Sequence, residues 1–248
     1  MTDCIKNYLL NQKVQLFQSA HKYKTSSDAV LLASMVHKLK KDAKILDVGS
    51  GTGSVSLCLA YRFPDADITG FEIQNELVEV SNMSAEVNQF KNLKYICHNI
   101  NNKKAPCPFC SFDCVITNPP YLTSGTKSPN ISKAIAHGGE NITLKEWLAF
   151  CIKMLKPFGE LYLIDKAEKT DEILSVLYQK TGNITILPIY SKQGQKAKRV
   201  IIRAQKDSKA GVNILPPLVI HNENEHTYQA DQILRGGKSY FEIDFSKT

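Results

Sequence analysis

A glycine-rich turn between an apolar segment and a helical segment constrains the fold of this chain more than any other feature. Residues 43–48 are mostly apolar and are predicted to form a strand, and residues 54–61 have a helical pattern. Between them, residues 47–53 read DVGSGTG. Glycines at such a turn let the backbone bend tightly and approach a ligand closely. The spacing is not that of a dinucleotide-binding fingerprint, because Ser54 occupies the place of its third glycine.

Apolar strand segments and helical segments alternate along most of the chain, which predicts an α/β fold with parallel strands and right-handed crossovers. The last two strand segments have no helix between them, so we expect an antiparallel hairpin at the edge of a seven-stranded, mostly parallel sheet. The strands are predicted at residues 43–48, 67–73, 93–97, 112–117, 160–164, 184–190 and 200–204, and the helices at 54–61, 76–88, 144–155 and 171–179.

The 248 residues, of which 43% are hydrophobic, suffice for one sizeable core, and we expect a single domain. Residues 1–40 are predicted to form an N-terminal hairpin and a first helix that continues from Asp28 through Leu39. Residues 41–206 form the expected cofactor-binding core. Residues 207–248 are predicted to pack on it as a C-terminal extension with a short helix near residues 228–234.

An acidic residue follows the glycine-rich turn at an informative distance. Glu72 ends the second predicted strand, nineteen residues after Gly53. A carboxylate at this place in a βαβ unit can accept hydrogen bonds from both hydroxyls of a ribose. The D-x-G-x-G-x-G spacing of residues 47–53 resembles the first motif of the class I methyltransferases. That resemblance implies a Rossmann-like fold and S-adenosylmethionine as the cofactor.

The segment Asn118-Pro119-Pro120-Tyr121 ends the fourth predicted strand. It resembles the (D/N/S)PP(Y/F/W) motif of methyltransferases that act on amino nitrogens of adenine, cytosine or glutamine. The exocyclic amino group of a base is a poor nucleophile because its lone pair is delocalised into the ring. The side-chain oxygen of Asn118 and the carbonyl of Pro119 can accept N–H bonds from it, which localises the lone pair without a strong general base. Tyr121 offers a flat face on which an extruded base can stack.

Together with residues 23–32 (YKTSSDAVLL), these motifs resemble those of the bacterial YfiC-type tRNA(Val) adenine-37 N6-methyltransferases. The resemblance implies methyl transfer to an adenine of tRNA, with Asn118, Pro119 and Tyr121 as catalytic residues. It also implies a cofactor site that comprises Asp28, Asp47, Gly49, Gly51, Gly53, Glu72, Ile73, Asn99, Ile100 and Asn118. Asn99 departs from the family, which usually has Asp at this place. Residues 122–140, which resemble the family's substrate-side loop, diverge from its better-known members.

The net charge of +7 is concentrated in one segment, because residues 192–209 contain seven Lys or Arg residues against Asp207 alone. A focused basic patch suits a polyanion such as tRNA. The candidate RNA-binding residues in this segment are Lys192, Lys196, Lys198 and Arg199. On charge alone, a solvated sheet edge, on which lysines oppose aggregation, explains the segment equally well.

The sequence has no apolar stretch of membrane-spanning length and no leader with basic and apolar regions, so we expect a cytoplasmic protein. Seven cysteines, an odd number in a chain of this size, do not predict a disulfide framework. Cys107, Cys110 and Cys114 lack the second ligand pair that a structural zinc site needs, so we expect no metal.

Two other functions compete with adenine methylation. A glutamine methyltransferase that acts on release factors also uses Asn-Pro-Pro-Tyr, but that family has a longer N-terminal helical domain than the segment preceding the glycine-rich turn here. A catalytically inactive RNA-binding scaffold would not require the intact glycines, Glu72 and Asn118.

Overall fold

The computed structural model describes residues 4–19, 27–102, 104–120, 142–223 and 225–247. Tyr121 and residues 122–140 lie outside these ranges, as does the part of the 23–32 segment that precedes Ser27. No helix in the described ranges has both the length and the apolar character needed to span a membrane.

The N-terminal part forms an antiparallel hairpin of β1 (Cys4–Leu9) and β2 (Val14–Ser19), followed by α1 (Ser27–Ser34). The prediction that this helix continues through Leu39 is wrong. Arg62 explains the early end, because its guanidinium donates to the carbonyl oxygens of Ala33 at 2.6 Å and Val36 at 2.9 Å. A side chain therefore satisfies carbonyls at the end of the helix that further helical turns would otherwise satisfy.

The central segment alternates strands and helices in the predicted order. Successive residues of a strand point to opposite faces. Ile45 therefore packs in the hydrophobic cluster that includes α1 and residues of the helix Ser54–Arg62, whereas Leu46 and Val48 pack in the cluster under the helix Leu144–Met154. The strands are β3 (Lys44–Val48), β4 (Asp67–Glu72), β5 (Leu93–Cys97), β6 (Phe112–Thr117), β7 (Leu155–Lys166), β8 (Thr181–Lys192) and β9 (Arg199–Lys206). The helices are α2 (Ser54–Arg62), α3 (Asn75–Val87), α4 (Leu144–Met154) and α5 (Thr170–Leu177).

These strands are ordered β5-β4-β3-β6-β7-β9-β8, and β9 alone among them is antiparallel to its neighbours. The predicted Rossmann-like α/β fold is confirmed. The prediction that the β8–β9 hairpin forms the sheet edge is wrong, because the C-terminal segment continues the sheet beyond β8. It adds β10 (Val212–Ile214), β11 (Leu218–Asn222) and β12 (Glu225–His226), which makes ten strands over the described ranges.

A glycine lets the C-terminal segment cross the start of β8. A Cβ on Gly182 would collide with the carbonyl oxygen of Ser208 and lie 2.9 Å from that of Ala210. After the crossing, β10 and β11 run parallel to β8 along its outer side. The short helix expected near residues 228–234 is present as α6 (Tyr228–Leu234). Beyond it, the Ser239 hydroxyl donates to the Ser34 carbonyl at the end of α1, at 2.9 Å.

Candidate active site

The parallel strands bring the candidate residues to one edge of the sheet. The glycine-rich turn follows β3, Glu72 ends β4, and Asn118 follows β6. Val48 and Thr117 are register partners, so the turn and the Asn118 segment leave adjacent strands at the same level. Ligands of doubly wound sheets bind at this carboxyl edge. The β8–β9 loop lies on it too, because β7 and β8 are both antiparallel to β9.

The glycine-rich turn bends over the end of β4. The backbone N–H groups of Gly49 and Ser50 both donate to the carbonyl oxygen of Phe71, at 2.8 and 3.0 Å. Gly49, Gly51 and Gly53 have φ values of 73°, 56° and 81°, in the left-handed region that favours glycine. The buried hydroxyl of Ser50 has no hydrogen-bond partner among the described residues, so the turn contains a polar atom that a bound group could satisfy.

The three glycines of the turn face different surroundings. A Cβ on Gly49 would lie 2.7 Å from the indole of Trp147, and a Cβ on Gly53 would collide with the phenol of Tyr95. No atom of the described chain lies within 4 Å of the Cβ position of Gly51. Packing therefore requires glycine at two of the positions, whereas Gly51 faces open space in which a ligand can lie.

Glu72 is buried beside the turn. Its Oε2 accepts a hydrogen bond from the backbone N–H of Gly51, and its Oε1 accepts one from that of Gln74, both at 2.9 Å. Burial raises the pKa of this carboxyl, and the bonds from Gln74 and Gly51 oppose the rise. A carboxylate has about four lone-pair sites, so some remain for the hydroxyls of a ribose. The adjacent Ile73 is 40% exposed and presents an apolar surface.

Asp47 lies within β3 beneath the turn, and the residue is only 1% exposed. Its Oδ2 accepts a hydrogen bond from the hydroxyl of Ser56 in α2. Burial raises the pKa of Asp47 to about 7, the bonds from Ser56 lower it, and the charge of Glu72 raises it further. Asp47, a predicted cofactor residue, thus joins the strand before the turn to α2 through its hydrogen bond with Ser56.

The segment after β5 carries Asn99 and Ile100, both half-buried. Ile100 packs against the cluster under α4. Sequence reasoning missed His98, whose backbone N–H donates to the Glu72 carbonyl at 2.8 Å and whose ring packs edge-on against Phe71, with 5.0 Å between centroids. Burial lowers the pKa of His98, and its Nε2 has no hydrogen-bond partner among the described residues. A lone histidine after an apolar strand gave no signal that could have identified it.

Asn118 is half-buried and Pro119 is buried at the end of β6. The preceding residue, Thr117, accepts a hydrogen bond from the indole N–H of Trp147 at 2.9 Å and donates its own hydroxyl to the Val48 carbonyl at 2.8 Å. Side-chain bonds thus hold the backbone on which Asn118 is presented. Tyr121, the remaining predicted catalytic residue, lies outside the described residues.

Asp28 and Arg199, which the sequence analysis assigned to different sites, form an ion pair. The Nε of Arg199 lies 2.9 Å from Oδ2 of Asp28, and the Arg199 side chain is 28% exposed. Arg199 is the first residue of β9, whereas Lys192, Lys196 and Lys198 are exposed around the β8–β9 loop. The structure therefore separates Arg199 from the exposed lysines and places it against α1.

The three cysteines considered above as zinc ligands lie away from this edge. Cys107 and Cys110 precede β6 and so lie towards the opposite edge of the sheet, and Cys114 is buried within β6. Over the described ranges, no group of three or more His, Cys, Asp or Glu side chains is placed to hold a metal ion.

Residues 19–188, more than half of the chain, match the methyltransferase small domain family. The chain belongs to this family. Membership confirms that the protein is an S-adenosylmethionine-dependent methyltransferase, as its motifs predicted.

Relatives of this family member include two bacterial proteins named tRNA1(Val) (adenine(37)-N6)-methyltransferase. The one from Pedobacter heparinus is 25% identical over 199 residues, which cover 80% of this chain and 84% of the relative. The one from Dyadobacter fermentans is 28% identical over 213 residues, which cover 83% and 85%. Among solved structures, protein Atu636 of Agrobacterium tumefaciens, described as a predicted O-methyltransferase, superposes with a TM-score of 0.71. It is 24% identical over 86% of this chain and 97% of its own, and it supports the fold alone.

The carboxyl edge of this methyltransferase fits its cofactor. Gly51 faces open space, the Ser50 hydroxyl lacks a partner among the described residues, and the Glu72 carboxylate retains lone pairs. These groups offer polar contacts for methionine and ribose, and the exposed Ile73 offers an apolar contact for adenine. S-adenosylmethionine, when bound, supplies a methyl group activated by its sulfonium charge.

Proposed function

We propose that this methyltransferase modifies the exocyclic amino group of an adenine in tRNA, at N6 of adenosine 37 in tRNA(Val). The observation that carries the proposal is the adjacency of the Asn118-Pro119 segment and the glycine-rich turn on paired strands β6 and β3. Two bacterial relatives named for this reaction, each similar over about four fifths of this chain, support the substrate.

Asn118 and Pro119 carry the chemistry in this proposal. The Asn118 side-chain oxygen and the Pro119 carbonyl accept the two N–H bonds of the target amino group and hold it pyramidal, with its lone pair towards the methyl group. No strong base is needed, because the amine becomes acidic once it is methylated and can then release its proton to water. Fixed dipoles and positioning therefore supply the rate enhancement. Tyr121 would stack on the extruded adenine.

The remaining predicted residues surround the cofactor in this proposal. Glu72 binds the ribose hydroxyls, and Asn99 accepts a hydrogen bond from the cofactor's adenine amino group. Ile73 and Ile100 enclose the adenine ring between the ends of β4 and β5. Asp28 lies at the methionine end and is oriented by its ion pair with Arg199, while Gly49, Gly51 and Gly53 shape the turn and Asp47 supports it.

The exposed lysines provide the proposed contact with the tRNA backbone. The ends of β6 and β8 are separated by three strand spacings across β7 and β9, or roughly 14 Å. A nucleic acid that places one base at Asn118 can therefore reach the β8–β9 loop with a neighbouring phosphate. Lys192, Lys196 and Lys198 would position the substrate there without reading its sequence.

Transfer of labelled methyl groups to total tRNA, with a release factor as the competing substrate, tests the proposal. Asn118→Ala should retain S-adenosylmethionine binding by calorimetry and lower turnover on tRNA by at least about a hundredfold. The matched control is Asn213→Ala, since Asn213 is exposed on β10 away from this edge. Methylation of the release factor instead of tRNA would favour a glutamine methyltransferase. Normal turnover by Asn118→Ala would refute the catalytic role of Asn118.

The target position is tested separately. Nucleoside mass spectrometry of the labelled tRNA should show N6-methyladenosine, and sequencing of the labelled species should place it at position 37 of tRNA(Val). Another modified nucleoside or another tRNA would contradict the finer assignment while leaving methyl transfer to RNA intact.

A further inference from the structure

Trp147 occupies a fixed place at the start of α4. The Thr143 hydroxyl accepts a hydrogen bond from the backbone N–H of Glu146 at 3.2 Å, and the Glu146 carboxylate accepts one from the backbone N–H of Thr143 at 2.8 Å. This reciprocal capping box begins the helix at a defined residue. Trp147 follows within the first turn, and its backbone N–H donates to the Thr143 carbonyl at 3.0 Å.

The indole of Trp147 starts a chain of hydrogen bonds across the ends of two strands. Its Nε1–H donates to Oγ1 of Thr117 at 2.9 Å, and that hydroxyl donates to the Val48 carbonyl at 2.8 Å. Thr117 is completely buried and Trp147 is 8% exposed, so water does not compete effectively for these groups. Thr117 immediately precedes Asn118, and Val48 immediately precedes Gly49. These hydrogen bonds therefore link the start of the Asn118-Pro119 segment to the start of the glycine-rich turn.

The same indole also contacts the glycine-rich turn directly. A Cβ on Gly49 would lie 2.7 and 2.8 Å from the Cζ2 and Cη2 atoms of Trp147. The benzo part of the indole thus lies against the Gly49 backbone while the pyrrole N–H reaches Thr117. One rigid ring touches both segments that must meet in the reaction.

We propose that Trp147 is a positioning residue. Through its hydrogen bond to Thr117, it sets the placement of Asn118 relative to the glycine-rich turn. The inference rests on the catalytic role of Asn118 proposed above. Its physical reason is that methyl transfer needs the acceptor nitrogen in line with the methyl group, and a misplacement of about 1 Å can cost roughly a hundredfold in rate. The indole N–H governs the Asn118 side of this arrangement, and the ring face governs the Gly49 side.

Substitutions at Thr117 and Trp147 test the proposal. Thr117→Val keeps the shape of the side chain and loses only the hydroxyl, whereas Trp147→Phe keeps an aromatic ring but loses both the N–H and the Cζ2 and Cη2 atoms that lie against Gly49. Both should lower kcat by about tenfold or more, and Thr117→Val should keep the S-adenosylmethionine Kd within about threefold of the wild-type value. Thr117→Ser restores the hydroxyl and should restore kcat. The double variant of Thr117→Val and Trp147→Phe should be no slower than Trp147→Phe alone, because both changes break the same series of hydrogen bonds.

Ile152→Val is the stability control, since Ile152 is buried on the same helix and packs in the same cluster. A merely structural role for Trp147 would lower the melting temperature and leave kcat unchanged well below it, as expected for Ile152→Val. The proposal is overturned if Trp147→Phe and Thr117→Val keep kcat within about twofold of wild type, or if they weaken cofactor binding alone. Asn118→Ala in the same assay distinguishes failure of the positioning role of Trp147 from failure of the proposed function. Full activity of Asn118→Ala would refute the proposed function independently of the result for Trp147.

Discussion

Replacement of Gly51 by Ala tests whether the open face of the turn is the cofactor face. Gly51 has a φ of 56°, and no atom of the described chain lies within 4 Å of the new methyl group. Without cofactor, the free energy of unfolding should therefore fall only by what alanine costs in the left-handed conformation, about 1–2 kcal/mol. For a chain of this size that lowers the Tm by roughly 2–8 °C. If the cofactor lies at this face, the new methyl group should also weaken the free energy of S-adenosylmethionine binding by about 1–3 kcal/mol. This corresponds to a Kd raised roughly 5- to 150-fold.

Gly194 provides the matched control for this substitution. It lies in the β8–β9 loop with a φ of 77°, and its Cβ position is also clear of other described atoms within 4 Å. Gly194→Ala should lower the Tm by a similar amount and leave the Kd unchanged. Differential scanning fluorimetry and calorimetric titration with S-adenosylmethionine measure the two effects in both variants. Equal cofactor affinity in Gly51→Ala and Gly194→Ala would refute the assignment of the open face to the cofactor.

Two further outcomes follow from the site. Alanine at Lys192, Lys196 and Lys198, with Arg199 retained because it pairs with Asp28, should weaken tRNA binding. It should also reduce the slope of log affinity against log salt by roughly one or less per lost phosphate contact. Filter binding of tRNA over a series of salt concentrations measures this slope. An unchanged slope would show that the lysines form a solvated sheet edge and do not contact phosphates. For Asp47, a folded pKa of about 7 against an ordinary value of 3.8 means that its contribution to the free energy of unfolding is greatest below about pH 4 and falls as the pH rises to 7. The loss amounts to roughly 4 kcal/mol. Asp47→Asn should therefore show a smaller decline in urea-unfolding free energy between pH 5 and pH 8, and an identical decline in both proteins would contradict the raised pKa.

The sequence was sufficient for the features that are local in the chain. The turn after β3 depends on glycines at three fixed positions, and Glu72 and Asn118 each stand at the end of an apolar strand. Parallel pairing then carries such strand ends to one edge, so their proximity follows from the fold class alone. This is why the succession of strands and helices from β3 to β9 along the chain was predictable, and why the three motifs were expected at one edge of the sheet.

Contacts between distant segments could not be read in the same way. The Asp28–Arg199 pair joins residues 171 positions apart, and Arg199 looked like one more exposed cation of a basic loop. Trp147 appeared as one apolar residue of a helix face, because nothing in its surroundings in the sequence reveals that the indole meets Gly49. The strands β10 and β12 contain three and two residues, too few for a periodic pattern to emerge.

The strands added beyond β8 affect how this protein meets other copies of itself. Without these strands, β8 would leave one side of a twelve-residue strand unpaired, a template on which another chain could pair and aggregate. Instead, β10 and β11 occupy that side, and Pro216 and Pro217 between them have no N–H to donate. The described outer strands thus present only short runs of backbone donors to a neighbouring molecule. Protection of this side of the sheet from edge-to-edge pairing therefore comes from residues remote from the candidate active site.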